Sequence, residues 1–304
     1  MYVFGSSIVD VGNDNFLPGA AVPRANRPFN GIDFPGSIPT GRFSNGYNTA
    51  DYIAKNMGFF VEPSCLSVAG TKLLFRPSGA DRSRQRTPGT PSRCRSMQVQ
   101  YFKATKAKMV AAVGANAVDA LLSQSIFLVN IGNNDFYVFA FTELARNRSA
   151  ADQRSDAAAR STPASSPTTP PPSRKFAVVN VWLLGCVPAV RVLSPAGASP
   201  AASTARSGRC SPGLVYSLAD FFGFTQDTMA DPRAAGCACC GSGRLGGEGE
   251  CAPSSTLCGD RDRHVFWDRA HPSQRMAFLA AQAFYNGPEK YTTPVNFMQL
   301  AQSS

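Results

Sequence analysis

The chain of 304 residues is 43% apolar, enough to bury a sizeable core within one domain spanning 1–304. It contains no apolar run long enough to span a bilayer, and Met1 already opens an apolar strand, so no cleavable leader is expected within it. The formal net charge of +10 is uneven, because ten basic residues between Lys72 and Lys108 face Asp81 alone. These cations are mixed with Ser, Pro and Gly rather than interleaved with aromatics, which argues for a solvated loop and against a nucleic-acid partner.

In chain order, Tyr2-Val3-Phe4 predicts the first core strand, and it runs straight into Gly5-Ser6-Ser7. A long loop rich in Pro, Gly and Asn follows and ends in Pro39-Thr40-Gly41-Arg42-Phe43-Ser44-Asn45-Gly46. Ala50, Ile53, Ala54 and Met57 then recur at helical spacing, with Ser44 or Asn45 as the expected N-cap and Gly58 as the stop. The stretch 75–96 has no hydrophobic period and reads as a disordered insertion. Residues 97–123 predict a helix interrupted at Gly114, and the run Ile126 to Ile131 predicts a buried parallel strand ending at Gly132-Asn133-Asn134-Asp135.

Helical material is expected over 135–160, and 161–173, with its three consecutive prolines, reads as a second disordered insertion. A third strand is expected over Phe176 to Trp182 and leads to Leu184-Gly185-Cys186-Val187-Pro188. A weaker fourth is expected at Leu214-Val215-Tyr216, and no helix is legible between Ser194 and Gly213. Five of the nine cysteines, Cys237, Cys239, Cys240, Cys251 and Cys258, lie in a Gly-rich stretch that suits a disulfide-stapled loop, and the odd total leaves one thiol unpaired. A zinc site is the alternative there, since Cys237 and Cys240 fit its spacing loosely, whereas Cys251 and Cys258 lie too far apart. At the far end Pro272 is expected at the first position of a helix that stops at Asn286-Gly287, with Met276, Leu279 and Ala283 facing the core.

Strands alternating with helical segments predict an α/β fold whose parallel sheet has helices on both faces and binds ligands beyond the carboxyl ends of its strands. Ser7 and Asn134 both lie just past such ends. Near the other terminus, Asp268-Arg269-Ala270-His271-Pro272 supplies a carboxylate within reach of an imidazole. A serine hydroxyl becomes a nucleophile when a histidine takes its proton and a carboxylate fixes the tautomer of that histidine. His264, among Arg261, Asp262 and Arg263, is expected to be solvated, and Asp10, Asn13 and Asn15 to shape a loop.

Four ordered blocks carry a family resemblance: Val3 to Asn13, Gly132 to Asp135, Leu184 to Pro188, and Phe266 to Pro272. In order and spacing they resemble the plant GDSL esterase/lipases of the SGNH hydrolase superfamily. The resemblance implies a three-layer α/β/α, flavodoxin-like SGNH hydrolase fold, partly incomplete here, and hydrolysis of carboxylic or lipid-like acyl esters through an acyl-enzyme. It makes Ser7 the nucleophile, His271 the general base and acid, Asp268 the residue that orients it, and Ser7 N–H with Asn134 the oxyanion donors. It implies no cofactor and no metal, a small-molecule or lipid ester as substrate, no integral membrane association, a monomer, and an extracellular setting.

The chain departs from the family pattern in two places at the site. Ser6 stands where the family has Asp, and Phe75-Arg76-Pro77-Ser78-Gly79 stands where a glycine donor block is expected, so no glycine is assigned to the oxyanion hole. The rival expectation is a scaffold that binds without turnover.

Overall fold

The computed structural model describes residues 1–17, 22–59, 93–138, 175–193, 215–231 and 233–303, with the backbone alone over 93–97. The expected insertion over 161–173, residues 75–92 of the other, the material over 139–160 and the segment 194–213 lie outside the described residues.

Among the described residues, β1 (Tyr2–Gly5), β2 (Ile126–Asn130), β3 (Lys175–Val179) and β4 (Val215–Ala219) pair in parallel, and β9 (Thr292–Thr293) closes the order β1-β2-β3-β4-β9. The pairing of β9 with β4 is antiparallel, at the edge of the parallel sheet that the alternation of strands and helices predicts. Two residues of Thr carry no apolar run, so this strand left no sequence signal. The other strands follow their apolar runs, although β3 stops at Val179 and β4 extends to Ala219, further than its weak run suggested.

Alternation along each strand divides the side chains between two cores. Ile126 and Leu128 of β2 join Val3, Ala177, Val179 and Ala219 on one face, packed beneath α1 (Thr49–Asn56), α4 (Phe221–Ala230), α5 (Gln274–Asn286) and α6 (Phe297–Gln302). Phe127 points the other way and gathers Tyr2, Val118 and Leu122 beneath α2 (Arg93–Val113) and α3 (Ala115–Ser123). These are the three layers α/β/α. The second core is aromatic, with Phe102 edge-on to Tyr2 at 5.5 Å and to Phe127 at 5.5 Å. Phe127 is nearly fully buried and contributes about 2 kcal/mol by removal of its ring from water.

Three helix boundaries differ from the sequence reading. The N-cap of α1 is Asn48, which accepts from Asp51 N–H while Asp51 accepts from Asn48 N–H, so the reciprocal box lies three residues beyond Asn45. Helix α2 begins at Arg93, inside the stretch 75–96 expected to lack regular structure. Helix α5 is capped by Ser273, whose Oγ accepts from Met276 N–H, so Pro272 precedes the cap instead of opening the helix. Pro272 bridges Phe266 in an antiparallel pair, a role set by tertiary contact and invisible to local propensity.

A patch of short strands separate from the main sheet carries the C-terminal motif. β5 (Ala235–Ala238) pairs in parallel with β8 (His264–Phe266), and β6 (Cys240–Gly241) pairs antiparallel with β7 (Thr256–Leu257). Cys239–Cys258 and Cys240–Cys251 staple it, and Cys239 and Cys240 N–H donate to the carbonyls of Phe266 and Trp267. Trp267 is fully buried and donates Nε1–H to Asn30 Oδ1 at 2.7 Å. The segment leading to Asp268 is thereby fastened on both sides.

Candidate active site

At the carboxyl end of β1 the chain makes a tight turn, Gly5-Ser6-Ser7, before the short 3-10 helix Ser7–Val9. A Cβ on Gly5 would lie 2.6 Å from the Asn130 carbonyl oxygen and 2.6 Å from Val9 Cγ2, so only glycine permits this approach of β1 to β2. Ser6 N–H donates to the Asn130 carbonyl at 3.0 Å, and Ser6 Oγ donates to Asn130 Oδ1 at 3.1 Å. Gln98 Nε2 on α2 donates to the Gly5 carbonyl at 3.1 Å.

The neighbouring strand ends join the same network. Asn133 Nδ2 donates to Ser6 Oγ at 3.2 Å and to Asn130 Oδ1 at 2.8 Å, and Asn133 Oδ1 accepts from Trp182 N–H at 3.2 Å. Asn130 Nδ2 faces the carbonyls of Val179 and Asn180, each at 3.3 Å. The ends of β1, β2 and β3 are thus joined by buried side-chain amides with their polar atoms used, an arrangement that favours one geometry for the turn. Ser6 supplies a neutral hydroxyl where the resemblance expects a carboxylate, and the turn is closed nonetheless.

Asp268 and His271 arrive from the opposite end of the sequence. Trp267 N–H donates to the His271 carbonyl at 2.9 Å, folding 267–271 into a compact loop. Asp268 Oδ1 accepts from the N–H groups of Ala270 at 2.8 Å and His271 at 2.9 Å, and both carboxylate oxygens lie 2.8 Å from His271 Nδ1. His271 Nε2 lies 2.9 Å from Ser7 Oγ. Burial pushes the Asp268 carboxyl upward, but the adjacent imidazole and the two backbone donors outweigh it and hold its pKa below the ordinary 3.8. An ionised carboxylate in this position favours the tautomer with the proton on Nδ1, leaving Nε2 as acceptor for the Ser7 hydroxyl.

Ser7, His271 and Asp268 therefore lie in one hydrogen-bonded line, although 264 positions separate the first two. Asn134 is half-buried in the helical turn 133–138 directly past β2, next to the fixed Asn133. The other sequence candidates lie around this line. Asp10 Oδ1 accepts from Gly12 and Asn13 N–H, and Asn15 Nδ2 donates to the Thr40 carbonyl, as loop-shaping groups do. His264 is half-buried in β8 with Nδ1 3.1 Å from the Cys237 carbonyl, so the expectation of a solvated side chain is corrected by its pairing with β5. Cys240 and Cys251 are joined to each other, which takes two sulfurs from the zinc alternative.

Sequence reasoning did not single out Asn130, Asn133 or Gln98 as supports of this site, nor Gln274, whose backbone N–H donates to Asn45 Oδ1 and whose Oε1 accepts from Tyr47 N–H. Each acts through a contact more than forty residues away, except the local Asn130–Asn133 bond, and an isolated Asn or Gln carries no periodic signal. Among the described residues, no helix is long and apolar enough to cross a membrane.

Comparison with known proteins gives a consistent result. The family described as GDSL-like Lipase/Acylhydrolase matches residues 1–284. The chain is 29% identical to GDSL esterase/lipase At5g55050 of Arabidopsis thaliana, covering 100% of this chain and 90% of the relative. It is 30% identical to GDSL esterase/lipase At4g28780 of the same plant, covering 98% and 89%. It is 31% identical to At1g29660, another Arabidopsis GDSL esterase/lipase, covering 99% and 91%.

Proposed function

Since the chain belongs to the GDSL-like lipase/acylhydrolase family, we propose that it is a serine ester hydrolase that cleaves carboxylic or lipid-like acyl esters through an acyl-enzyme. The observation that carries this reading is the line Ser7 Oγ to His271 Nε2 at 2.9 Å and His271 Nδ1 to Asp268 at 2.8 Å. In this reading His271 Nε2 takes the Ser7 proton as Oγ bonds to the ester carbonyl carbon, and Asp268 stabilises the imidazolium. Ser7 N–H and the Asn134 amide receive the developing oxyanion, each donor lowering the barrier by about 3 to 4 kcal/mol.

Collapse of the tetrahedral intermediate breaks the bond to the alcohol oxygen, which leaves with the proton held on Nε2. Water then attacks the acyl-serine, giving its proton to Nε2, and the acid departs as Ser7 regains its hydrogen. No metal or cofactor enters any step. The two disulfides among the described residues support an oxidising, extracellular setting for the protein.

A second reading, a scaffold without turnover, is favoured by the sequence 75–79, which lacks the expected glycine block. Hydrolysis of a short-chain chromogenic ester by the purified chain, beside Ser7→Ala and His271→Ala, separates the two. Turnover that disappears in both variants supports the hydrolase. A folded parent that neither turns over nor reacts at Ser7 with a fluorophosphonate favours the scaffold.

A further inference from the structure

We propose that Phe43 is a positioning residue for His271, an inference that rests on the hydrolase reading above. The Phe43 ring stacks on the imidazole with centroids 4.8 Å apart and planes inclined by 30°. Asp268 holds one edge of that imidazole at Nδ1 and Ser7 meets the other edge at Nε2. A ring gripped at two edges can still tilt about the line that joins them. A second ring against its face removes that tilt, and the same aromatic face attracts the imidazolium formed during acyl transfer.

The loop that carries Phe43 is fastened to the helix that follows His271. Asn45 Oδ1 accepts from Gln274 N–H at 2.8 Å, and Gln274 Oε1 accepts from Tyr47 N–H at 2.7 Å, so Gln274 at the start of α5 is bound by the loop at both its backbone and its side chain. A Cβ on Gly46 would meet Gln274 Oε1 at 1.8 Å, so a side chain there would displace the clasp. Asp33 accepts from Asn45 Nδ2 at 2.7 Å and from Arg261 at 2.6 and 2.7 Å, tying the loop to the segment before β8. On the other side of Phe43, Arg42 is buried against Asp51 of α1. Phe43 is held between two anchored neighbours, and its ring is what this loop presents to the imidazole.

The test compares Phe43→Leu, which keeps the bulk without the aromatic face, with the conservative Phe43→Tyr in the full chain. The chain has only two histidines, so the ring-proton resonances of His271 are assigned by His271→Ala. The expected result is an upfield ring-current shift of the His271 protons in the parent and in Phe43→Tyr that is lost in Phe43→Leu. With the chromogenic ester, kcat is expected to fall about tenfold in Phe43→Leu with KM within about twofold, and to recover in Phe43→Tyr. An unchanged His271 shift in Phe43→Leu overturns the inference, as does a rise in KM with kcat intact, which would make the ring a substrate contact. A parent without Ser7-dependent turnover would sink the hydrolase reading alone, since the resonance comparison decides the stacking by itself.

Discussion

Arg42→Met is expected to cost the folded state about 3 to 5 kcal/mol, the penalty for leaving one partner of a buried ion pair alone. Arg42 and Asp51 are about 1% and 0% exposed at their side chains, and their two parallel contacts are 2.7 and 2.8 Å long. Burial works against the guanidinium charge, yet Asp51 more than offsets it and keeps Arg42 above its ordinary pKa. Arg42 also donates to the Val11 carbonyl at 3.3 Å and to Thr40 Oγ1 at 3.0 Å. Methionine fills similar length but donates nothing, so Asp51 would retain only the Asn48 N–H of its capping box. The loss is a large share of the roughly 5 to 15 kcal/mol that ordinary domains possess. Urea titration followed by tryptophan fluorescence measures it, with Arg42→Met/Asp51→Leu as the companion, because removing both charges restores much of the stability. A single variant within about 1 kcal/mol of the parent, or a double variant no better than the single, would refute the reasoning.

Asp268→Asn is expected to lower kcat by about 10⁴-fold, because an amide nitrogen facing Nδ1 selects the tautomer whose Nε2 cannot accept the Ser7 proton. Steady-state hydrolysis of the chromogenic ester checks this, and retention of a tenth of the parent rate would count against it. Acid should also weaken the fold through the same carboxylate. Its folded pKa is depressed below 3.8, so the stability it supplies is complete above that value and is lost as pH falls through the lower folded value. Urea midpoints between about pH 2 and 6 should therefore fall more steeply for the parent than for Asp268→Asn, and parallel curves would remove Asp268 as the cause.

The legible parts of this protein are those with a local pattern. Apolar runs locate β1 and β2 nearly to the residue, and short motifs single out Ser7, Asp268 and His271, which the fold sets within hydrogen-bond distance of one another. The N-cap at Asn48 was missed because Ser44 and Asn45 offer equally good local chemistry, and only the burial of Arg42 against Asp51 selects the later residue. Pro272 suits a helix start locally, but the pairing with Phe266 claims it first. Asn130, Asn133 and Gln274 earn their roles from partners on other elements. Cysteine pairing was open for the same reason, since the choice of Cys258 for Cys239 depends on how β6 and β7 meet.

The separation of 264 positions between Ser7 and His271 has a consequence for biosynthesis. Closing so long a loop in a free chain costs about 5 kcal/mol of entropy, which the Ser–His contact alone does not return. That cost is met by the packing of the sheet and of the disulfide-stapled strands, which bring the two ends together. On the hydrolase reading, a nascent chain carrying Ser7 but not yet His271 has a hydroxyl no more nucleophilic than any other serine, so the polypeptide stays inert toward esters until its last strands are made.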